Sequence, residues 1–214
     1  MARESLIIVA ESVQKRFTGR SVFKPVSFEA SPSEIIAITG SKGAGKSTLL
    51  KIIANVLSPT KGSCAWQDGN AKLDHDGIRL RLGFVAPYLE LYDELTAVEH
   101  VRIVADLKGL SIRDGAAVDL LDGFGLDPAV VRGERHLRAY SSGMKQRVRC
   151  AMAFTCSPSA LLLDEPTSNL DEAGTAIVLE QAQAAARAGA IVFIATNDAR
   201  ERAIAHREIL IESY

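Results

Sequence analysis

One stretch constrains the fold of this chain more than any other: Glu34 to Leu57, EIIAITGSKGAGKSTLLKIIANVL. It opens with Ile35 to Thr39, a short β-branched run that suits a buried strand. It closes with Leu49, Leu50, Ile52, Ile53, Val56 and Leu57, whose spacing fits one face of a helix. Between them lies Gly40-Ser-Lys-Gly-Ala-Gly45-Lys46-Ser47, a match to G-x-x-x-x-G-K-[ST]. The spacing has a chemical reason. Glycines let the backbone wrap closely round an anion and turn successive N–H groups inward. The new helix aims its positive end at the same place. Lys46 adds a full charge within reach of β- and γ-phosphates, and Ser47 offers a hydroxyl to Mg²⁺. A glycine-rich turn with an incidental lysine is the bland alternative. The fixed spacing, with a strand before it and a helix after it, argues against that.

The 214 residues suffice for one large domain or two lobes sharing a core, and a hydrophobic content of 47% supports that core. The formal net charge of −1 gives no general attraction to nucleic acid. No apolar run approaches the ~20 residues of a membrane helix. The N-terminal run in MARESLIIVAESVQ is too short for a signal peptide's core, so a cytoplasmic location is expected. Cys64, Cys150 and Cys156 lack C-x-x-C spacing and read as small buried hydrophobes.

Taken in order, Leu6 to Ala10 and Val22 to Ala30 look like strands, with Phe17 between them. The Phe17 ring could stack on a base or simply pack. Gly62 to Asp68 reads as a strand ending in the turn Asp68-Gly69-Asn70, with Trp66 as a packing residue. Leu82 to Ala86 is a further apolar run, stopped by Pro87. Then the character changes. Thr96 with Glu99 forms a capping box ahead of helical spacing. Ser111 can cap a second helix through about Leu121, and Asp127-Pro128 starts a third. Residues 88–155 are therefore expected to form a helical subdomain inserted into an α/β core made of 1–87 and 156–214. Ala160 to Leu163 and Ile191 to Ala195 are continuous apolar runs, as central parallel strands require. A helix from about Glu172 to Ala188 joins them, and Glu208 to Glu212 is a candidate edge strand. The alternation predicts a mostly parallel sheet with helices on both faces.

Asp164 and Glu165 fall at the C-terminal end of one such strand, the edge where open α/β sheets bind ligands. Beside a phosphate loop, Asp164 can hold Mg²⁺ through water and Glu165 can deprotonate an attacking water. Without that loop they would read as two solvated carboxylates. Tyr140-Ser141-Ser142-Gly143-Met144-Lys145-Gln146-Arg147 precedes the strand by a helix's length. Ser141 is a good N-cap, and the small residues leave the helix end open to an anion. Arg132, Arg135, Arg138, Lys145, Arg147 and Arg149 surround this segment, either as a positive field or as a solvated helical face.

Together these segments resemble the ATP-binding cassette (ABC) ATPases over nearly the whole chain. GSKGAGKST looks like the Walker A motif. LLLDEPTSNLD, Leu161 to Asp171, looks like Walker B, catalytic glutamate and D-loop. YSSGMKQR is similar to the LSGGQ signature. The resemblance implies a P-loop NTPase core with a mostly parallel sheet, a small antiparallel β part and an ABC-type helical subdomain. It implies ATP and Mg²⁺ as cofactors. Gly40, Ser41, Lys42, Gly43, Ala44, Gly45, Lys46, Ser47, Thr48 and Asp164 would bind nucleotide, with Phe17 on the adenine. Ser47 and Asp164 would hold the metal, the latter via water. Lys46, Glu165 and Asn197 would serve catalysis, Asn197 standing where the family has a switch histidine. Ser141 and Gly143 would grip the γ-phosphate of a second cassette in a homodimer or mixed pair. That motion would drive separate transmembrane permease subunits from the cytoplasmic face of the membrane. No nucleic-acid partner is expected.

The chain also departs from the family. Tyr140, Ser142 and Met144 replace signature Leu, Gly and Gln, and Pro87 stands where the family has a glutamine after a core strand. Two other readings follow: a non-transport ABC ATPase acting on ribosomes or DNA, or a clamp that binds ATP and turns it over slowly because of Pro87 and Asn197.

Overall fold

The computed structural model describes residues 6–133 and 135–213; the first five residues, Glu134 and Tyr214 lie outside it. The chain opens with strands β1 (Leu6–Gln14), β2 (Arg16–Phe17), β3 (Arg20–Ser21), β4 (Val26–Ala30) and β5 (Ile35–Thr39), then helix α1 (Lys46–Ile53). β6 (Lys61–Asp68), β7 (Ala71–Lys72), α2 (His75–Arg81) and β8 (Leu82–Val85) complete the first half. Four helices follow: α3 (Ala97–Leu107), α4 (Asp114–Asp122), α5 (Pro128–Arg132) and α6 (Ser142–Phe154), with a 3₁₀ turn at Leu137–Ala139. The chain ends with β9 (Ala160–Asp164), α7 (Glu172–Arg187), β10 (Ile191–Ala195), α8 (Ala199–Ala203) and β11 (Arg207–Leu210).

The central sheet runs β11-β5-β10-β9-β8, and every pairing in it is parallel. Its three central strands, β5, β10 and β9, are buried on both faces, which is why they read as unbroken apolar runs. Successive side chains alternate between two cores. Ile36, Ile38, Leu162 and Phe193 face α1 and the antiparallel sheet β4-β1-β6-β7. Ile35, Leu161, Leu163, Val192 and Ile194 face the side built by α3, α4, α6 and α7. Fully burying each of these is worth about 1.5–3 kcal/mol against exposure.

The capping box at Thr96 and Glu99 forms: the Glu99 backbone N–H donates to Thr96 Oγ1, and the Thr96 backbone N–H donates to Glu99 Oε2. Other expectations need correction. The strand proposed for Val22 to Ala30 begins only at Val26, because Pro25 cannot donate to a ladder and Phe23 is turned fully into the core. Ser111 does not cap α4, which starts three residues later. Ile112 packs against the core ahead of it and holds the entry extended. Val56 leaves the face set by Leu49 to Ile53 and is 67% exposed, since α1 ends at Ile53 and Asn55 turns left-handed at φ 57°. Among the cysteines only Cys150 is fully buried; Cys64 and Cys156 are half-buried. Helix α2, capped by Asp74 through the Gly77 N–H, has no counterpart in the sequence reading. Trp66 is a packing residue, buried with its indole N–H donating to Ile53 O.

Candidate active site

The loop between β5 and α1 is shaped by its neighbours as much as by its own residues. Gly45 takes φ 103° at the helix cap, and a Cβ there would lie 2.6 Å from Val22 and 2.7 Å from Phe23. A Cβ on Gly40 would meet Ile211 O at 2.5 Å. The loop is thus wedged between two segments that admit no side chain. Lys46 is nearly buried, and its Nζ donates to Gly40 O at 2.9 Å and Ser41 O at 3.3 Å. That hold fixes the ammonium under the loop.

A cavity of about 530 Å³ opens above it. Phe17, Val22, Lys42, Gly43, Gly45, Lys46, Ser47, Thr48, Glu165 and Asn197 line it. Residues separated by 180 positions therefore meet at the carboxyl edge of the sheet. Phe17 is 48% exposed, so it is not packed away, and Lys15 Nζ lies over one face of its ring, 5.1 Å from the centroid. Val22 is the lining residue that sequence reasoning missed; it read there as part of a strand. Gly40, Ser41 and Ala44 shape the loop from outside the lining, and Ala44 belongs to the core.

Asp164 ends β9 and is almost fully buried. Burial raises its pKa, the Ser47 hydroxyl pulls it back down, the Glu165 charge raises it further, and Lys46 and Lys51 lower it. Glu165 sits at φ 47°, a left-handed conformation that a non-glycine residue keeps only when its surroundings enforce it. Its N–H donates to Ala195 O at 3.0 Å, which ties the turn after β9 to the end of β10. Asn197 follows that same end and completes the wall opposite Lys46.

Ser141 caps α6 by accepting from Met144 N–H at 3.2 Å. With Gly125, Ser142, Gly143, Met144, Arg147, Asn169, Leu170 and Asp171 it lines a second cavity of about 480 Å³. The two cavities share no lining residue: Ser141 and Gly143 line one and Lys46 the other. Gly125 had no place in the sequence reading, Arg147 was read as part of a positive field or a solvated face, and Asn169 only as part of LLLDEPTSNLD. The basic residues near the signature serve mainly as internal ties. Lys145 pairs with Asp93 at 2.6 Å, and Arg147 bonds Asp171 and Gly125 O, both at 3.0 Å. Arg149 donates to Leu89 O at 2.8 Å, and Arg135 donates to Ala139 O at 2.8 Å.

No cluster of three or more His, Cys, Asp or Glu able to hold a metal occurs among the described residues. Mg²⁺ needs no such cage beside phosphates. One hydroxyl and one carboxylate, Ser47 and Asp164, supply hard oxygens of the kind it takes, with phosphate oxygens and water completing the set. The donor set therefore fits that ion.

Parallel sheet, phosphate loop and acidic strand end define a P-loop nucleotide-binding domain. The chain belongs to the ABC transporter family, whose profile matches residues 23–168. It is 35% identical over 185 residues to the uncharacterized ABC transporter ATP-binding protein YxlF of Bacillus subtilis (strain 168), covering 86% of this chain and 60% of that protein. It is 34% identical over 186 residues to the lipoprotein-releasing system ATP-binding protein LolD of Legionella pneumophila (strain Paris), covering 82% and 81%. A solved dimer of the ATP-binding cassette MJ0796, in a post-hydrolysis state bound to ADP and Pi, superposes with a TM-score of 0.84 at 26% identity, over 96% of this chain and 94% of that one. No helix among the described residues is long and apolar enough to cross a membrane.

Proposed function

We propose that this chain is an ATP-hydrolysing subunit of a transporter, which closes on a second cassette around ATP and acts on separate permease subunits at the cytoplasmic face of the membrane. The observation that carries this reading is the pair of unshared cavities on one chain. One holds the phosphate loop and Glu165; the other holds Ser141 and Gly143. A head-to-tail pair would complete both at once.

In this reading Phe17 stacks on the base. The N–H groups of Gly43 to Thr48 and the Lys46 ammonium carry the β- and γ-phosphates. Mg²⁺, held through Ser47 and Asp164, would neutralise charge on the β- and γ-oxygens. Glu165 takes a proton from water as its oxygen bonds to the γ-phosphorus, and the bond to the bridging oxygen breaks to leave ADP. The Asn197 amide donates to a γ-oxygen but, unlike histidine, cannot titrate. Pro87 and Asn197 favour a slower cycle as the second reading, a clamp that binds ATP and turns it over rarely.

The test has two parts. Affinity purification from membranes should recover a permease, and the purified chain should hydrolyse MgATP at a rate that Glu165→Gln abolishes. Recovery of no membrane protein under native expression removes the transport role. A wild-type rate equal to that of Glu165→Gln leaves the clamp.

A further inference from the structure

Glu201 lies on α8, outside the motifs, and is 1% exposed. A buried carboxylate is costly unless the chain uses it. Its Oε1 accepts from the Thr167 backbone N–H at 3.0 Å and from the Thr167 hydroxyl. Burial raises its carboxyl pKa, and the Thr167 and Thr196 hydroxyls pull it partly back down, while Oε2 stays buried without a well-placed hydrogen-bond donor. An acceptor left unmatched inside the protein is a real penalty, so the position of this side chain is not the cheapest way to fill space.

The segment it holds is the one that carries the proton acceptor. Thr167 is two residues after Glu165, whose left-handed turn is fixed on its other side by the bond to Ala195 O. From below, Gln146 Nε2 donates to Pro166 O at 2.8 Å. A cavity of about 350 Å³ lies between the two loops, with Glu165, Thr167, Thr196, Asn197 and Glu201 in its wall. Glu201 thus sits on α8, just after β10, and reaches across to the loop after β9.

We propose that Glu201 is a positioning residue: through Thr167 it sets the place of Glu165 relative to Asn197, and so to the γ-phosphate. In this role it acts through Thr167 rather than on the nucleotide. A carboxylate suits this task because its Oε1 accepts both donors that Thr167 presents and it has no donor of its own to compete with them. A displacement of about 1 Å at the base is enough to cost about a hundredfold in rate. Nucleotide affinity should barely change, since Glu201 does not line the cavity that holds Lys46 and the phosphate loop.

This inference rests on the reading that Glu165 takes the water's proton, and the experiment separates the two. Steady-state ATPase rates and fluorescent-nucleotide affinities are measured for wild type, Glu165→Gln, Glu201→Ala, Glu201→Gln, Thr167→Val and Thr167→Ser. The expected result is a kcat at least tenfold lower in Glu201→Ala, with KM and nucleotide Kd within twofold. Glu201→Gln keeps an acceptor at Oε1 and should recover most of that loss, as Thr167→Ser should relative to Thr167→Val. A Glu201→Ala kcat within twofold of wild type overturns the proposal, as does a Gln variant no faster than Ala. If Glu201→Ala does not fold, the Thr167 pair decides by the same criteria. A wild type no faster than Glu165→Gln overturns the parent reading too, whereas a fast wild type with a fast Glu201→Ala overturns the Glu201 role alone.

Discussion

Lys46 carries its charge into a nearly buried site, where its ammonium donates to two backbone carbonyls. Such a charge is worth most when a dianionic phosphate arrives. Lys46→Ala should weaken MgATP binding about tenfold to a hundredfold, the equivalent of roughly 1.5–3 kcal/mol for a charged hydrogen bond. Equilibrium titration with a fluorescent nucleotide checks it, and an affinity within twofold of wild type removes the role given to Lys46. Asn197 makes a prediction about pH. Its amide donates but does not titrate, so the wild-type rate should show no step due to this position between pH 5 and 8. Asn197→His adds a group with an ordinary pKa near 6.5, protonated and donating below it and neutral above. Its kcat should fall as pH rises through that value, where wild type stays flat. A step of the same size in both proteins assigns the titration to another group. Both residues were legible from the sequence, Lys46 from spacing and Asn197 through the resemblance to a family that has a switch histidine at this place. Glu201 was not: its partner Thr167 is 34 positions away, and nothing in either local pattern marks the contact.

At the scale of elements, the strands could be read because burial on both faces leaves an unmistakable apolar run. The helical start at Asp114 could not, because a serine three residues earlier offered an equally good cap. Close approaches between elements were also invisible. On β8, a Cβ at Gly83 would lie 2.0 Å from Ala153 O of α6 and 2.8 Å from Leu161 on β9. Gly83→Ala should therefore force the strand and helix apart and cost about 1–3 kcal/mol, the usual range for overpacking. Urea unfolding reads this directly, and an unchanged midpoint removes the close contact. Beyond β8, the loop that begins at Pro87 is fastened to α1 by Lys51, whose Nζ lies 3.9 Å from the Tyr88 ring centroid. Burial, aided by the Asp164 charge, pushes the Tyr88 phenol up to about 12, so the ring stays neutral and its face stays a cation partner at physiological pH. Tyr88→Phe should leave stability nearly unchanged because it keeps that face. Tyr88→Leu should lose about 0.5–1 kcal/mol, the range for a partly exposed pair. Chemical denaturation of the two variants separates ring face from hydroxyl.

At the scale of the whole molecule, the two cavities pose a geometric problem that a single chain does not solve. Ser141 and Gly143 line one and Lys46 lines the other, yet both sets have the character of anion sites. A second copy placed head to tail solves it, with ATP as part of the interface. Closure should then depend on ATP and persist when turnover is blocked. Glu165→Gln with MgATP should run at twice the monomer mass in light scattering, and revert when ATP is exchanged for ADP. Gly143 gives the discriminating variant. It lies in the first turn of α6, where an acidic residue suits the helix end, and its Cβ would approach only Asn169 O, at 3.1 Å. Gly143→Asp should therefore fold, with only a small shift at that contact. Because Gly143 is absent from the Lys46 cavity, the monomer should bind nucleotide as before. What changes is the far side of the interface, where a carboxylate now faces a γ-phosphate across low-dielectric surroundings. Glu165→Gln/Gly143→Asp should bind MgATP with affinity close to that of monomeric Glu165→Gln but stay monomeric. If the double variant still dimerises with MgATP, the Ser141–Gly143 cavity does not meet the phosphate, and the head-to-tail arrangement is wrong for this chain.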